Sequence, residues 1–169
     1  MSEIIIKDIT EENIIDWCSV CVPLEKREDP DWKNGMEEKR IWALEMLQKW
    51  GPIAKIGYID NIPAGMIQYK PSPEEGVVGI DCIYVHEKKY WRKGIGKNLL
   101  FSLIEDMKKP QKWFNDKPAN ALVVWTFAGH SEGQLSAREF FTEYGFKKVG
   151  ENPNFLYYPL QEGFVYQPV

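Results

Sequence analysis

The stretch YVHEKKYWRKGIGKNLLFSLI, Tyr84 to Ile104, decides how this chain is read. Before it, Val77 to Val85 is nearly continuous in apolar residues, the mark of a central strand covered on both faces. After its glycines, Ile95, Leu99, Leu100, Leu103, Ile104 and Met107 fall at helical spacing. Strand, glycine loop and helix therefore follow one another without a spacer. The first amides of a helix point outward unpaired and carry partial positive charge, so the junction is suited to an anion. Gly94 and Gly96 remove the Cβ atoms that would hold an anion away from those amides. Lys88, Lys89, Arg92, Lys93 and Lys97 face only Glu87, a local excess of four positive charges in a chain of net charge −4. A polyanion such as a phosphate ester is the natural ligand.

Two familiar phosphate loops fail on required residues. A dinucleotide fingerprint needs a third glycine, and three residues after Gly96 stands Leu99. A nucleotide P-loop needs a glycine five before Gly96 and Ser or Thr after the lysine, where this chain has Trp91 and Asn98.

Outward from this segment, strands and helices alternate. Ile4 to Asp8 is a short strand, and Thr10 with Glu11, Glu12 and Asn13 opens a helix bearing Ile14, Cys18, Cys21 and Val22 on one side. Pro23 to Asn34 reads as a charged, proline-broken loop holding Trp32, followed by a helix from Met36 to Trp50 that stops at Gly51-Pro52. Ile53 to Ile59 and Ile62 to Tyr69 form a hairpin turned at Asp60-Asn61, and a turn follows at Pro71-Ser72-Pro73. Beyond Pro110 come a buried strand from Ala121 to Phe127, a helix face of Ala137, Phe140, Phe141 and Tyr144 ending at Gly145, a short strand at Lys147 to Gly150, and a strand from Phe155 to Leu160. No linker divides the chain, so residues 1–169 read as one α/β domain.

Composition narrows the classes further. Twenty-five acidic residues against 21 basic ones give no reason to expect a nucleic-acid or membrane partner. Seven Trp, eight Tyr and eight Phe exclude a solvated coil. Three cysteines, an odd number, fit a reducing compartment, and the spacing of Cys18 and Cys21 lacks the second pair that a zinc site needs. No metal site is expected. Cys82 reads as a core residue. Met1 to Asp8 lacks the pattern of a signal peptide and no apolar run is long enough to cross a bilayer, so a cytoplasmic location is expected.

The Gly94–Gly96 loop after a strand ending in Val85 resembles motif A of the GNAT family of N-acetyltransferases. SAREFFTEYGF, Ser136 to Phe146, resembles the family's A-x-x-FY-x-x-x-GF helix. Both motifs stand in the family's order, and so do the elements from Ile4 to Leu160. The resemblance implies a mixed, mostly antiparallel sheet flanked by helices and splayed between Val77–Val85 and Ala121–Phe127. Acetyl-CoA would enter there. Its pantetheine would pair with backbone near Ile83 and Val85, and its pyrophosphate would rest on amides from Trp91 through Arg92, Lys93, Gly94, Ile95 and Gly96 to Lys97. Gln134 and Phe141 complete the implied cofactor set, each with a departure. Gln134 replaces a frequent Asn, and Phe141 stands where many relatives carry a tyrosine that protonates the departing thiolate. Trp91 likewise replaces the usual Gln or Arg, with Arg92 nearby.

The missing tyrosine is not fatal to catalysis. A thiol with a pKa near 8.5, like that of cysteine, leaves tolerably near neutral pH, and general acid assistance is worth only about 10²-fold or more. Tyr144, three residues on, is the candidate substitute, with core packing beside Gly145 as its other reading. Asp81 interrupts the apolar strand on the face of Ile83 and Val85. A buried carboxylate demands a partner or a task. By resemblance Asp81 occupies a general-base position, where a relative carries a catalytic histidine. Its ordinary pKa of about 3.9 matches a protonated amine of about 10.4 poorly, but desolvation moves the two together. A structural pairing with Arg138 or backbone amides is the other reading. Backbone amides of the same strand would serve as the oxyanion hole.

His86 and His130 each follow a strand and read by default as solvated loop histidines, with an edge of the implied gap as the other reading. Twelve acids against seven bases in residues 1–50 suit a cationic acceptor, and Trp32 lies where the family shapes its acceptor pocket. The expected activity is direct acetyl transfer to a primary amine of a small molecule, peptide or protein. A non-catalytic acyl-CoA binding or sensing domain is the alternative, a purely structural domain is the third reading, and a homodimer stays open.

Overall fold

A computed structural model describes residues 3–20, 22, 26, 28–85, 88–126 and 136–168. The elements run β1 (Ile4–Asp8), α1 (Ile14–Val20), α2 (Pro30–Trp50), β2 (Ala54–Ile59), β3 (Ile62–Ser72), β4 (Val77–Val85), α3 (Ile95–Met107), β5 (Ala121–Trp125), α4 (Ala137–Glu143), β6 (Lys147–Val149) and β7 (Asn152–Pro159). The strands form one mixed sheet in the order β1-β2-β3-β4-β5-β7-β6. By their contacts the residues fall into two compact units, Met1–Gln68 with Cys82–Ser102, and Tyr69–Asp81 with Leu103–Val169.

In the first unit, β1 pairs antiparallel with β2, and β2 with β3. The hairpin turn is the one its sequence specifies. Asp60 (φ 49°) and Asn61 (φ 68°) are both left-handed, as a two-residue turn matching strand twist requires, and Asp/Asn tolerate that conformation best after glycine. Thr10 and Asn13 bond reciprocally ahead of α1: the Thr10 N–H donates to Asn13 Oδ1 at 2.7 Å and the Asn13 N–H to Thr10 Oγ1 at 3.3 Å. Ile14, Trp17, Cys18 and Val20 of α1 are buried on Ala54, Ile56 and Tyr58 of β2 and Met66 of β3. Trp17 stacks on Trp42 of α2, ring centroids 6.3 Å apart, with the Lys39 ammonium 4.3 Å from its ring centroid.

The second helix begins six residues earlier than the apolar spacing suggests. Asp29 caps it through a bond from the Asp31 N–H, and Pro30 takes the first helical position, where its missing N–H costs nothing. Trp32 therefore lies in the first turn of α2 and not in a loop. The β3 strand is also longer than expected and includes Pro71 and Ser72.

In the second unit, β4 and β5 are parallel over four pairs, Val77↔Ala121 to Ile80↔Val124, and β7 pairs antiparallel with β5 and β6. Val77, Ala121, Val149, Phe155, Tyr157 and Tyr166 form its core. Helix α4 is capped by Ser136, whose Oγ accepts from the Glu139 N–H at 3.1 Å and donates to the Glu139 carboxylate at 3.0 Å. It ends at Gly145, whose φ of 98° needs a residue without Cβ strain.

Only the first half of β4 matches a strand covered on both faces. Val77, Val78 and Ile80 are buried, but Asp81, Cys82 and Tyr84 are exposed. The parallel ladder stops at Ile80, and β4 runs five residues beyond it. Cys82 is therefore not a core residue, whereas Cys18 is. Asp81 carries no burial cost of the kind that demands a compensating partner.

Candidate functional site

The first unit contains the β4 end from Cys82 to Val85, the basic loop and the start of α3. The first bond of the α3 ladder runs from the Asn98 N–H to the Gly94 carbonyl at 2.9 Å. The N–H groups of Ile95, Gly96 and Lys97 precede that bond and have no acceptor within the helix. Acids occupy the first turns of α1, α2 and α4 (Asp16, Asp31 and Glu139), but none occupies that of α3. No acid of its own first turn therefore cancels the positive potential at the start of α3.

The loop that delivers the chain to this point is bent by two left-handed residues, Arg92 (φ 60°) and Gly94 (φ 89°). A Cβ at Gly94 would meet nothing nearer than Asn98 Nδ2 at 4.0 Å, so its glycine is required by conformation and not by space. Arg92, Lys93 and Lys97 are exposed, and Lys97 lies 5.6 Å from the Phe101 ring centroid. Trp91 has a definite task in the fold: its indole N–H donates to the Val85 carbonyl at 3.2 Å, tying the end of β4 to the loop. A Gln or Arg there would reach for an anion; Trp91 instead braces the strand.

The chain's own packing fixes where α3 starts. Ile95, its first residue, is 1% exposed, and Leu99 and Leu100 are fully buried. Gly57 of β2 and Gly65 of β3 are register partners. A Cβ on either would come within 3.0 Å of Ile95 Cγ2. No motif marks this glycine pair.

The remaining predicted residues lie in the second unit. Phe141 is 1% exposed, edge-on to Phe140 at 5.2 Å and tilted on Phe146 at 4.9 Å, so its ring serves the core. Tyr144 is the C-cap of α4, half-buried, edge-on to Phe140 at 5.1 Å. Asp81 stands exposed where β4 leaves its ladder. Gln134, His86, His130 and Cys21 lie outside the described residues.

Two concavities in the first unit involve none of the expected cofactor residues. One, of about 650 Å³, is lined by residues including Lys7, Asp8, Glu12, Asp16 and Tyr58, where the Tyr58 hydroxyl donates to Asp16 at 2.7 Å. Burial, then the Asp16 carboxylate, pushes the Tyr58 pKa well up. The other, of about 330 Å³, is lined by Cys18, Asp31, Trp32, Met36 and Lys39 among others, and so includes the tryptophan that the acidic N-terminal region singles out. No helix among the described residues is long and apolar enough to cross a membrane.

Comparison with solved structures finds the same fold at low identity. The PaiA N-acetyltransferase of Thermoplasma acidophilum, solved with coenzyme A, is 17% identical over 92% of this chain and 97% of its own, with a TM-score of 0.61. A GNAT family acetyltransferase of Brucella melitensis, solved with acetyl-CoA, is 14% identical over 98% and 92%, TM-score 0.59. An N-acetyltransferase of Staphylococcus aureus is 17% identical over 94% and 99%, TM-score 0.57. A comparison with curated proteins gives no match. The family model for acetyltransferases of the GNAT type matches residues 14–146, which takes in both motifs, the β4 overhang and the acid-free start of α3. The chain therefore belongs to the acetyltransferase (GNAT) family.

Proposed function

We propose that this chain, residues 1–169 as one domain, is an acetyl-CoA-dependent N-acetyltransferase that moves the acetyl group directly to a primary amine. The observation that carries the reading is the junction of β4 and α3. A strand that runs five residues past its last parallel pair leads through a cationic loop into three helix-start amides that have no acceptor within the helix. In a GNAT-family chain, that arrangement suits an adenosine diphosphate moiety at Ile95, Gly96 and Lys97 with Arg92 and Lys93 beside it, and an extended thioester arm along the backbone at Ile83 and Val85. The fit needs main-chain groups and small residues, so Trp91 in place of Gln or Arg does not weaken it. Gln134 belongs to the same proposed set, and Phe141 contributes through the packing of α4.

The reaction balances without a covalent enzyme intermediate. The amine nitrogen attacks the thioester carbonyl carbon, the C–S bond breaks, the amine loses a proton and the sulfur leaves as thiolate or thiol. Asp81, exposed in the free chain, is the proposed acceptor of the amine proton through water once bound thioester and amine cover it, and Tyr144 the proposed donor to sulfur. Backbone N–H groups of β4 stabilise the developing oxyanion in this reading. The groove beside Trp32 and Asp31 suits the non-reacting part of a cationic acceptor. A cytoplasmic location accords with this use of acetyl-CoA.

The test is amine-dependent release of free CoA thiol across a panel of small amines and peptides. Release with at least one amine is expected. CoA binding without release from any amine would favour the second reading, an acyl-CoA sensing domain. The buried Phe141, which has no hydroxyl to donate, is the observation on that side.

A further inference from the structure

Gly57 and Gly65 face each other across the β2–β3 pair. Neither has a positive φ, so neither is glycine for conformational reasons. Both are glycine for lack of space. A Cβ at Gly57 would lie 2.9 Å from Ile95 Cγ2 and 3.4 Å from Ile6 Cδ1; one at Gly65 would lie 2.8 Å from Ile95 Cγ2 and 3.0 Å from the Tyr84 carbonyl oxygen. Ile95 cannot swing aside cheaply. Its Cγ2 branches from Cβ on a helical residue, where one χ1 rotamer dominates, and the side chain is fully buried. The Tyr84 oxygen is backbone and has no rotamer to change.

Gly65 thus touches both halves of the proposed cofactor site: the first residue of α3 and the β4 backbone between Ile83 and Val85. We infer that the Gly57–Gly65 pair is a positioning seat for acetyl-CoA, holding the α3 amides at a fixed distance from the β4 edge so that one ligand spans both. This rests on the cofactor reading above. Neither glycine touches the ligand. Each acts through Ile95, and Gly65 through Tyr84 as well.

The experiment measures CoA affinity by calorimetry and thermal stability for the full chain and four variants. Gly65→Ala is expected to weaken CoA binding about tenfold, because one inserted methyl in a tight contact displaces the backbone it meets. Gly79→Ala is the control on β4: its Cβ would find only ordinary contacts at 3.9 Å, so it should bind CoA as the parent does. Ile95→Leu removes the β-branch that occupies the seat. In that background, adding Gly57→Ala, whose one contact under 3.4 Å is Ile95 Cγ2, should leave CoA affinity equal to or better than Ile95→Leu alone. This comparison also stands if Gly65→Ala by itself does not fold. A further loss in the double variant overturns the inference, as does a Gly65→Ala protein that melts lower yet binds CoA like the parent. If the parent chain does not bind CoA, the cofactor reading itself fails and the seat falls with it. If the parent binds and Gly65→Ala binds equally, the seat alone is wrong.

Discussion

Replacing Gly94 by alanine isolates the backbone of the loop from its charges. Gly94 has φ 89°, and its missing Cβ would meet nothing closer than 4.0 Å, so the variant introduces conformational strain without a clash. A non-glycine residue in the left-handed region costs roughly 1–2 kcal/mol. The reduced freedom of the unfolded chain returns about 0.4–1 kcal/mol, which leaves a net cost of about 1 kcal/mol. That cost must appear somewhere on the path from unfolded chain to CoA complex. If the free protein keeps the native bend, stability falls by the full amount and CoA affinity does not change. If the free loop relaxes, stability holds and the Kd for CoA rises about fivefold. Denaturant unfolding of the free protein and calorimetric titration with CoA measure the two parts. Their sum is expected near 1 kcal/mol. A sum within about 0.3 kcal/mol of zero would show that this bend is not the one CoA binds.

Three other outcomes follow from the same structure. Lys97→Gln should weaken CoA binding about two- to fivefold and reduce its salt dependence, since an exposed charge near a helix start is screened by ions; a salt titration that matches the parent's would remove Lys97 from the site. Asp81→Asn should cut turnover about a hundredfold while leaving the Kd for CoA within twofold, and equal turnover would exclude it as the base. The Tyr166 hydroxyl donates to Glu75 at 3.1 Å, and burial with that carboxylate holds its pKa up, to about 12. A raised folded-state pKa stabilises below the unfolded value near 10, and that contribution disappears as pH rises through 12. Tyr166→Phe should cost about 1.5–3 kcal/mol at pH 7 for the lost bond to a carboxylate and, by removing the titrating hydroxyl, flatten the alkaline decline above pH 10. Parallel pH–stability curves for the two proteins would contradict this assignment.

The sequence announces the parts of this fold whose signals are local. The turn at Asp60-Asn61 is written in two residues that tolerate positive φ, and the reciprocal Thr10–Asn13 bonds need only a three-residue spacing. The early start of α2 was also local, carried by Asp29 and Pro30, but the surrounding charges and a second proline imitate a loop. What depends on neighbours is not legible in this way. Val77 to Val85 is apolar on both sides of Asp81, yet its burial changes after Ile80, where the parallel ladder with β5 ends. That change exposes Asp81 and Cys82; the charge of Asp81 is a sign of it that the apolar neighbours obscure, and Cys82 gives none. The glycine seat is hidden for a related reason. Counting outward from the hairpin turn places Gly57 opposite Ala64; a register shift at Gly57/Tyr58 moves it to Gly65 and creates the paired gap that Ile95 fills.

Amide chemical shifts during a CoA titration report most directly on the main-chain cradle at the start of α3. Ile95, Gly96 and Lys97 N–H resonances should move downfield together and saturate at the calorimetric Kd, as amides do when they begin donating to an anion. Saturation by CoA with those three resonances unmoved would place the diphosphate elsewhere and contradict the account.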